Sequence, residues 1–418
     1  MFRRFVISAS ALLAALVVVS PATAADPPKD FFFKTNDRIV FLGDSITEQY
    51  EYSTYIELYL TTRFPTANFV FLNAGIGGDT ANGGAGRFQT HVLDEKPTAV
   101  TIDFGMNDAG YGKFNPGANK VYVEKTKAML EAAKKAGVRV ALISPNAVDR
   151  RVNPNFKLYV ETQKEFYAPL KGLAESFGDP FVDQYATTRA ALEKMEADDP
   201  QAKVAKPFGD GFHTSKPGGL LMAHAILTGL QAPALVSDVT IDAKASKADS
   251  KQCQVSGVTA TPSGATFERT DESLPLPVQK EWLSMLPYTS ELKDLNWYGL
   301  TVTGLNDGDY TVAIDGVDAG KYTAKQLAAG VNLGNQTAGP VFAQANAVFQ
   351  AIQAKNGIVH QRFRGVVMFG APDWLADVAA ERKSKELAKR MDAINAAQAG
   401  VYKLAAPKAR KFEVKAVK

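Results

Sequence analysis

Short apolar runs alternate with segments of helical period from about residue 37 to residue 230. The runs 38–42 (RIVFL), 68–72 (NFVFL), 99–104 (AVTIDF) and 138–144 (VRVALIS) predict buried strands, and 180–183 (PFVD) predicts a shorter fifth. The clearest helix lies at 120–136. Val121, Met129 and Leu130 mark its apolar face, Lys125, Lys127, Lys134 and Lys135 point outward, and Gly137 is its stop. A further helical run covers 220–230. Strand–helix alternation of this kind predicts a parallel sheet with helices on both faces and a functional crevice at the carboxyl ends of the strands.

The pattern changes after about residue 235. The polar stretch 244–254 (KASKADSKQCQ) reads as a linker or surface loop. Strands are expected at 297–305 and 309–314, split by Asn306-Asp307-Gly308, and again at 321–323 after the turn Asp315-Gly316. This predicts a small β-rich module at about 255–325. Helical character returns at 341, and 374–399 is strongly helix-forming, with Gly400 as the expected stop. The basic stretch 403–418 reads as a mobile, solvated tail.

The beginning of the chain has a different character. Arg3 and Arg4 precede an apolar run at 5–19, which ends in the small-x-small pattern Ala22-Thr23-Ala24. Residues 1–24 therefore read as a cleaved secretory signal peptide. The apolar run is shorter than the roughly 20 residues a membrane-spanning helix needs. Two positive charges would leave with it. The expected product is an exported protein, periplasmic or extracellular, with no membrane span. The chain divides into a leader (1–24), an α/β domain (25–235) and a C-terminal extension (236–418), as its 418 residues exceed one ordinary domain.

Composition narrows the function. A hydrophobic fraction of 46% with 22% charged residues is globular. A formal net charge of +3 gives no case for nucleic acid as a partner. Cys253 is the single cysteine, which excludes an intramolecular disulfide framework, a cysteine-based zinc site and an iron–sulfur cluster. It reads as a small buried hydrophobe. No metal or other cofactor is expected.

Four short segments carry candidate chemistry. Gly43-Asp44-Ser45-Ile46-Thr47 ends the first strand just before a helix. That turn can present a serine hydroxyl at the sheet edge, near the free N–H groups of the helix, but reads equally as an ordinary N-cap. Asn73-Ala74-Gly75-Ile76-Gly77-Gly78-Asp79-Thr80 ends the second strand. Its glycines allow close backbone approach to a ligand, or simply a flexible turn. Thr80 breaks the G-x-G-x-x-G spacing of a dinucleotide site. Gly105-Met106-Asn107-Asp108 ends the third strand and can aim an amide N–H at the same crevice. After the fifth strand comes Asp210-Gly211-Phe212-His213, where a carboxylate three residues before an imidazole can fix its tautomer and stabilise its protonated form.

The joint order of these blocks is more specific than any one of them. GDSIT, NAGIGGDT, GMND and DGFH together resemble the SGNH hydrolases, also called GDSL esterases and lipases, over about residues 37–230. The resemblance implies a flavodoxin-like three-layer α/β/α fold, with Ser45 as nucleophile, His213 as general base and Asp210 as its partner. Gly78 and Asn107 would join the Ser45 N–H in an oxyanion hole. It also implies an acyl-enzyme route that needs no metal. No Gly-x-Ser-x-Gly is present, so the α/β-hydrolase version of serine chemistry is not indicated. The family's His-Pro is here His213-Thr214. Residues 236–418, a smaller β-rich and helical region, are similar to extensions of secreted bacterial members, the stretch 297–367 carrying that likeness.

SGNH enzymes act on lipid, thioester and carbohydrate esters. The polar loop 145–155, with Asp149, Arg150 and Arg151, reads as lying near the crevice, or equally as a solvated surface loop. The first reading favours small acyl groups on sugars over long chains. The expected partner is thus a small-molecule or polysaccharide ester. A lipase or acyl thioesterase, and a non-catalytic glycan-binding scaffold, are the alternatives.

Overall fold

The structure is a computed structural model that describes residues 26–417. The expected leader at 1–24 lies outside the described residues.

Five parallel strands form the central sheet: β1 (Arg38–Gly43), β2 (Val70–Gly75), β3 (Ala99–Asp103), β4 (Arg139–Ile143) and β5 (Phe181–Val182). Their spatial order is β2-β1-β3-β4-β5. Ile39, Val40, Leu42, Val100, Ile102, Val140 and Leu142 are all buried. A sheet covered on both faces has no solvent side, which is why its strands read as unbroken apolar runs. The helices are α1 (Ser45–Glu48), α2 (Glu51–Arg63), α3 (Ala81–His91), α4 (Pro116–Lys135), α5 (Lys157–Tyr167), α6 (Pro169–Phe177), α7 (Gln184–Asp198) and α8 (Lys216–Gly229). Helices α2, α8 and α7 pack in series, as do α3, α4 and α6, giving the two outer layers. This is the flavodoxin-like α/β/α arrangement. Its strand order reverses between β1 and β3, where a crevice opens at the carboxyl edge.

Helix α4 buries Met129 and Leu130 as expected, but not Val121. Val121 is 43% exposed, while Tyr122, Thr126, Met129, Leu130 and Ala133 are buried.

The C-terminal half builds two more sheets. Strands β6 (Leu235–Asp242), β7 (Lys247–Lys251), β8 (Cys253–Thr261), β9 (Gly264–Asp271), β10 (Trp297–Thr303), β11 (Asp309–Ile314) and β12 (Val317–Thr323) precede the short helix α9 (Ala324–Ala329) and β13 (Val331–Asn332). Helices α10 (Gly339–Arg362) and α11 (Ala376–Ala405) follow, and β14 (Arg410–Ala416) closes the fold. The sheets run β13-β10-β6-β7 and β12-β11-β14-β9-β8. They share a second core that includes Val239, Ile241, Phe267, Tyr298, Val312, Phe412 and Val414. Arg269 is fully buried there. Its guanidinium donates to Asp271, Ser237 and the Gly299 carbonyl, and lies 3.9 Å from the Tyr298 ring centroid.

Three expectations are corrected. The 244–254 stretch is not a loop, because β7 pairs antiparallel with β6 there. The 403–418 stretch is not a mobile tail: β14 lies between β11 and β9, with Phe412 and Val414 buried. Helix α11 runs through Gly400 to Ala405, because Ile394, Gln398, Val401 and Ala405 are buried and hold that face regardless of one glycine.

Much of the C-terminal half is packed into the first core. Trp282, Met285 and Leu295, on the long connection between β9 and β10, belong to it, as do Val348, Phe349, Ile352, Ile394 and Val401 from α10 and α11. A buried ion pair joins Lys355 Nζ of α10 to Glu57 of α2 at 2.6 Å, and Asn356 donates to Thr54 beside it.

Candidate active site

The site grows from the end of β1. Gly43 stands where a Cβ would lie 2.6 Å from the Asp103 carbonyl oxygen, so the strand can bear no side chain at that point. Asp44 then caps α1, its Oδ1 accepting the Ile46 N–H at 2.9 Å. The capping role falls to Asp44, which leaves the Ser45 hydroxyl free to meet His213. Ser45 Oγ lies 2.8 Å from His213 Nε2, and His213 Nδ1 lies 2.7 Å from Asp210 Oδ2.

The Asp210–His213 turn is tied down on several sides. Asp210 Oδ1 accepts the N–H groups of Phe212 and His213. Burial alone would raise the Asp210 carboxyl, but the His213 ring and these two N–H groups together hold it below its ordinary value. Gln49 accepts the Thr214 N–H at 3.1 Å and donates to its carbonyl at 3.3 Å. Asn146 donates to the Phe212 carbonyl, and the Asp149 N–H to that of Gly211.

Arg150 and Arg151 are both held by partners within the protein. Arg151 makes a buried pair with Asp149 and donates to the carbonyls of Met195, Asp199 and Ala205, while Arg150 pairs with Glu196. They brace the loops behind His213: the 145–155 stretch does lie against the Asp210–His213 turn, but its two arginines are taken up by partners within the protein.

The residues of the expected oxyanion hole lie on the neighbouring turns. Gly78 is exposed with φ +74°, a conformation that suits glycine, and a Cβ there would face open space. The preceding N–H, of Gly77, donates to Glu48 Oε2 at 2.6 Å. Asn107 Nδ2 donates to the Asp79 carbonyl at 2.9 Å and reaches Asp44 Oδ2 at 3.4 Å, while its Oδ1 accepts from the Tyr111 hydroxyl at 2.8 Å. Arg87 donates to Asp79 and to the carbonyls of Ala74 and Gly43, so one guanidinium laces the ends of β1 and β2 together.

Buried carboxyls underlie this edge. Asp44 is pushed up to about 7, first by burial and then by Asp108 and Asp79, against the Ile46 hydrogen bond. Asp108 rises to about 6, again chiefly by burial. Asp103 is raised too, through burial and the nearby Asp44. Cys253 is buried in β8 with its thiol raised to about 11 by burial, which suits a packed residue rather than a reactive one.

Residues 41–219 match the model of the GDSL-like lipase/acylhydrolase family. The α/β domain belongs to this family. The chain is 34% identical over 116 residues to an uncharacterized lipoprotein of Bacillus subtilis, covering 25% of this chain and 47% of that protein. It thus spans about half the length of that relative. It is 24% identical over 214 residues to an acetylxylan esterase of Geobacillus stearothermophilus, covering 46% of this chain and 93% of the esterase. Among solved structures, a gut microbial diltiazem-metabolizing enzyme superposes with a TM-score of 0.80 at 23% identity, over 95% of this chain and all of that one. The α/β domain and the C-terminal region therefore recur together as one fold.

Gln49, Glu48, Tyr111 and Arg87 escaped sequence reasoning. Glu48 and Gln49 follow the GDSIT block directly, but nothing local says that their partners are Gly77 and Thr214. No helix among the described residues is long and apolar enough to cross a membrane.

Proposed function

We propose that the protein is an exported serine esterase that removes small acyl groups, chiefly acetyl, from carbohydrate. The observation that carries the reading is the continuous hydrogen-bonded line from Ser45 Oγ through both nitrogens of His213 to Asp210. In the reaction, the Ser45 hydroxyl proton passes to His213 Nε2 as Oγ bonds to the ester carbon. Asp210 holds the ring and stabilises its charged form. The carbonyl oxygen becomes an oxyanion facing three donors: the N–H groups of Ser45 and Gly78, and Asn107 Nδ2. The Ser45 N–H, at the first position of α1, has no acceptor within the helix. The long contact from Asn107 to Asp44 is the one the oxyanion would displace. His213 then gives its proton to the leaving alkoxide, the sugar departs, and water repeats the sequence on the acyl-enzyme.

The acetylxylan esterase among the relatives supports sugar acetates as the substrate class. The test is hydrolysis of p-nitrophenyl acetate, acetylated oligosaccharides, long-chain esters and acyl thioesters. Ser45→Ala is expected to lower kcat by about 10⁴-fold or more, with sugar acetates preferred by the unaltered enzyme. Turnover that survives in Ser45→Ala overturns the nucleophile, and a preference for long chains or thioesters overturns the carbohydrate reading.

A further inference from the structure

A cleft of about 350 Å³ opens between the start of α2 and the far end of α10. It adjoins the site just described. Gln49, on its rim, follows α1 directly and donates its N–H to the Ser45 carbonyl at 3.0 Å. The carboxamide of Gln49 holds Thr214, the residue after His213. The cleft edge is thus one helical turn from the nucleophile on one side and one residue from the base on the other.

The lining has a narrow chemistry. Among the described residues it is lined by four carboxamides, two of them exposed (Gln353 and Gln361) and two already bonded to threonines (Gln49 and Asn356), with two tyrosines, a threonine, a glycine, His360 and the carboxyl of Glu51. It has no aliphatic wall for an acyl chain, which would need apolar side chains. It has no lysine or arginine to meet a phosphate, sulfate or uronate, and Glu51 would repel one. A neutral ring bearing several hydroxyls fits what remains. Each hydroxyl both donates and accepts, and a carboxamide offers both functions side by side. Tyrosine rings can cover the less polar faces of such a ring.

The walls are built rigidly. Tyr50 sits in the left-handed region at φ +65°, unusual for a bulky side chain, and its ring meets His360 edge-on at 5.8 Å. On the opposite wall, the Lys355–Glu57 pair and the bond from Asn356 to Thr54 lock α10 onto α2. Gln353 and Gln361 stay exposed on that fixed helix.

We propose that this cleft is a subsite for a neutral glycosyl unit neighbouring the one that carries the ester. The subsite rests on the carbohydrate reading above and gives the C-terminal half a part in substrate choice: α10 supplies one wall and the GDSL domain the other.

The experiment compares the unaltered enzyme with the double variant Gln353→Ala/Gln361→Ala on p-nitrophenyl acetate and on an acetylated xylo-oligosaccharide. Losing two neutral hydrogen bonds should lower the ratio of kcat/KM on the oligosaccharide to that on the aryl ester by about tenfold, mainly through KM. An unaltered ratio, with the unaltered enzyme active on both substrates, overturns the subsite and leaves the carbohydrate reading standing. Equal losses on both substrates make the glutamines structural and also overturn it. If the unaltered enzyme cleaves the aryl ester but not the oligosaccharide, the carbohydrate reading and the subsite fall together.

Discussion

Asp44 and Ser45 are neighbours in sequence with opposite surroundings. Ser45 is half-buried and faces His213, whereas Asp44 is 3% exposed and rises from an ordinary value of 3.8 to about 7. The folded protein therefore keeps a proton on Asp44 that the unfolded chain releases at about pH 4. The stability tied to that proton is fullest below about pH 4 and is lost as pH rises through about 7. Asp44→Asn keeps an oxygen to cap α1 and removes the titration. Thermal melts of the variant should lose less stability between pH 4 and pH 8 than those of the unaltered protein, and identical slopes would refute the account. The candidate site residues were legible at this scale, because Ser45, Gly78, Asn107, Asp210 and His213 each sit in a short block at a strand end or tight turn. Tyr111 and Gln49 were not. Their meaning lies in a hydroxyl and a carboxamide that find Asn107 and Thr214 only after folding.

Elements show how far periodicity reaches. The buried parallel strands were readable because both their faces are apolar. Strand β7 (KADSK) was not, because its side chains are mostly exposed and its hold on β6 is through backbone hydrogen bonds. Strand β14 did carry a signal: Phe412 and Val414 alternate with Lys411, Glu413 and Lys415, but the basic residues around them suggested a tail. Gly400 shows a local rule losing to packing. It is exposed within α11, and a Cβ there would meet nothing within 4 Å. Gly400→Ala should therefore stabilise the protein by about 0.5–1 kcal/mol, read from the urea midpoint. A destabilised variant would mean that the glycine serves a contact or a bend.

The whole molecule does not divide where the chain's pattern changes. Trp282, Val348, Phe349 and Ile352 complete the core beneath α2, and Glu57 has its cationic partner 298 residues away in Lys355. A chain ending at residue 235 would expose that apolar face and leave Glu57 buried without its partner or newly hydrated. We expect such a fragment to aggregate or to melt without cooperativity, as followed by light scattering and calorimetry. A soluble, active fragment would show that the α/β domain stands alone. The sequence by itself determined the strand–helix alternation, the carboxyl-edge crevice and the residues brought to it, because these depend on periodicity and on residues a few positions apart. Only the tertiary structure decided that Arg150 and Arg151 bind Glu196, Met195 and Ala205, that the last strand fills the middle of a sheet, and that α10 walls a cleft with Gln49 on its rim. Each of these depends on hydrogen bonds, ion pairs or packing between residues far apart in the chain, and no local pattern encodes which distant partner a side chain will meet.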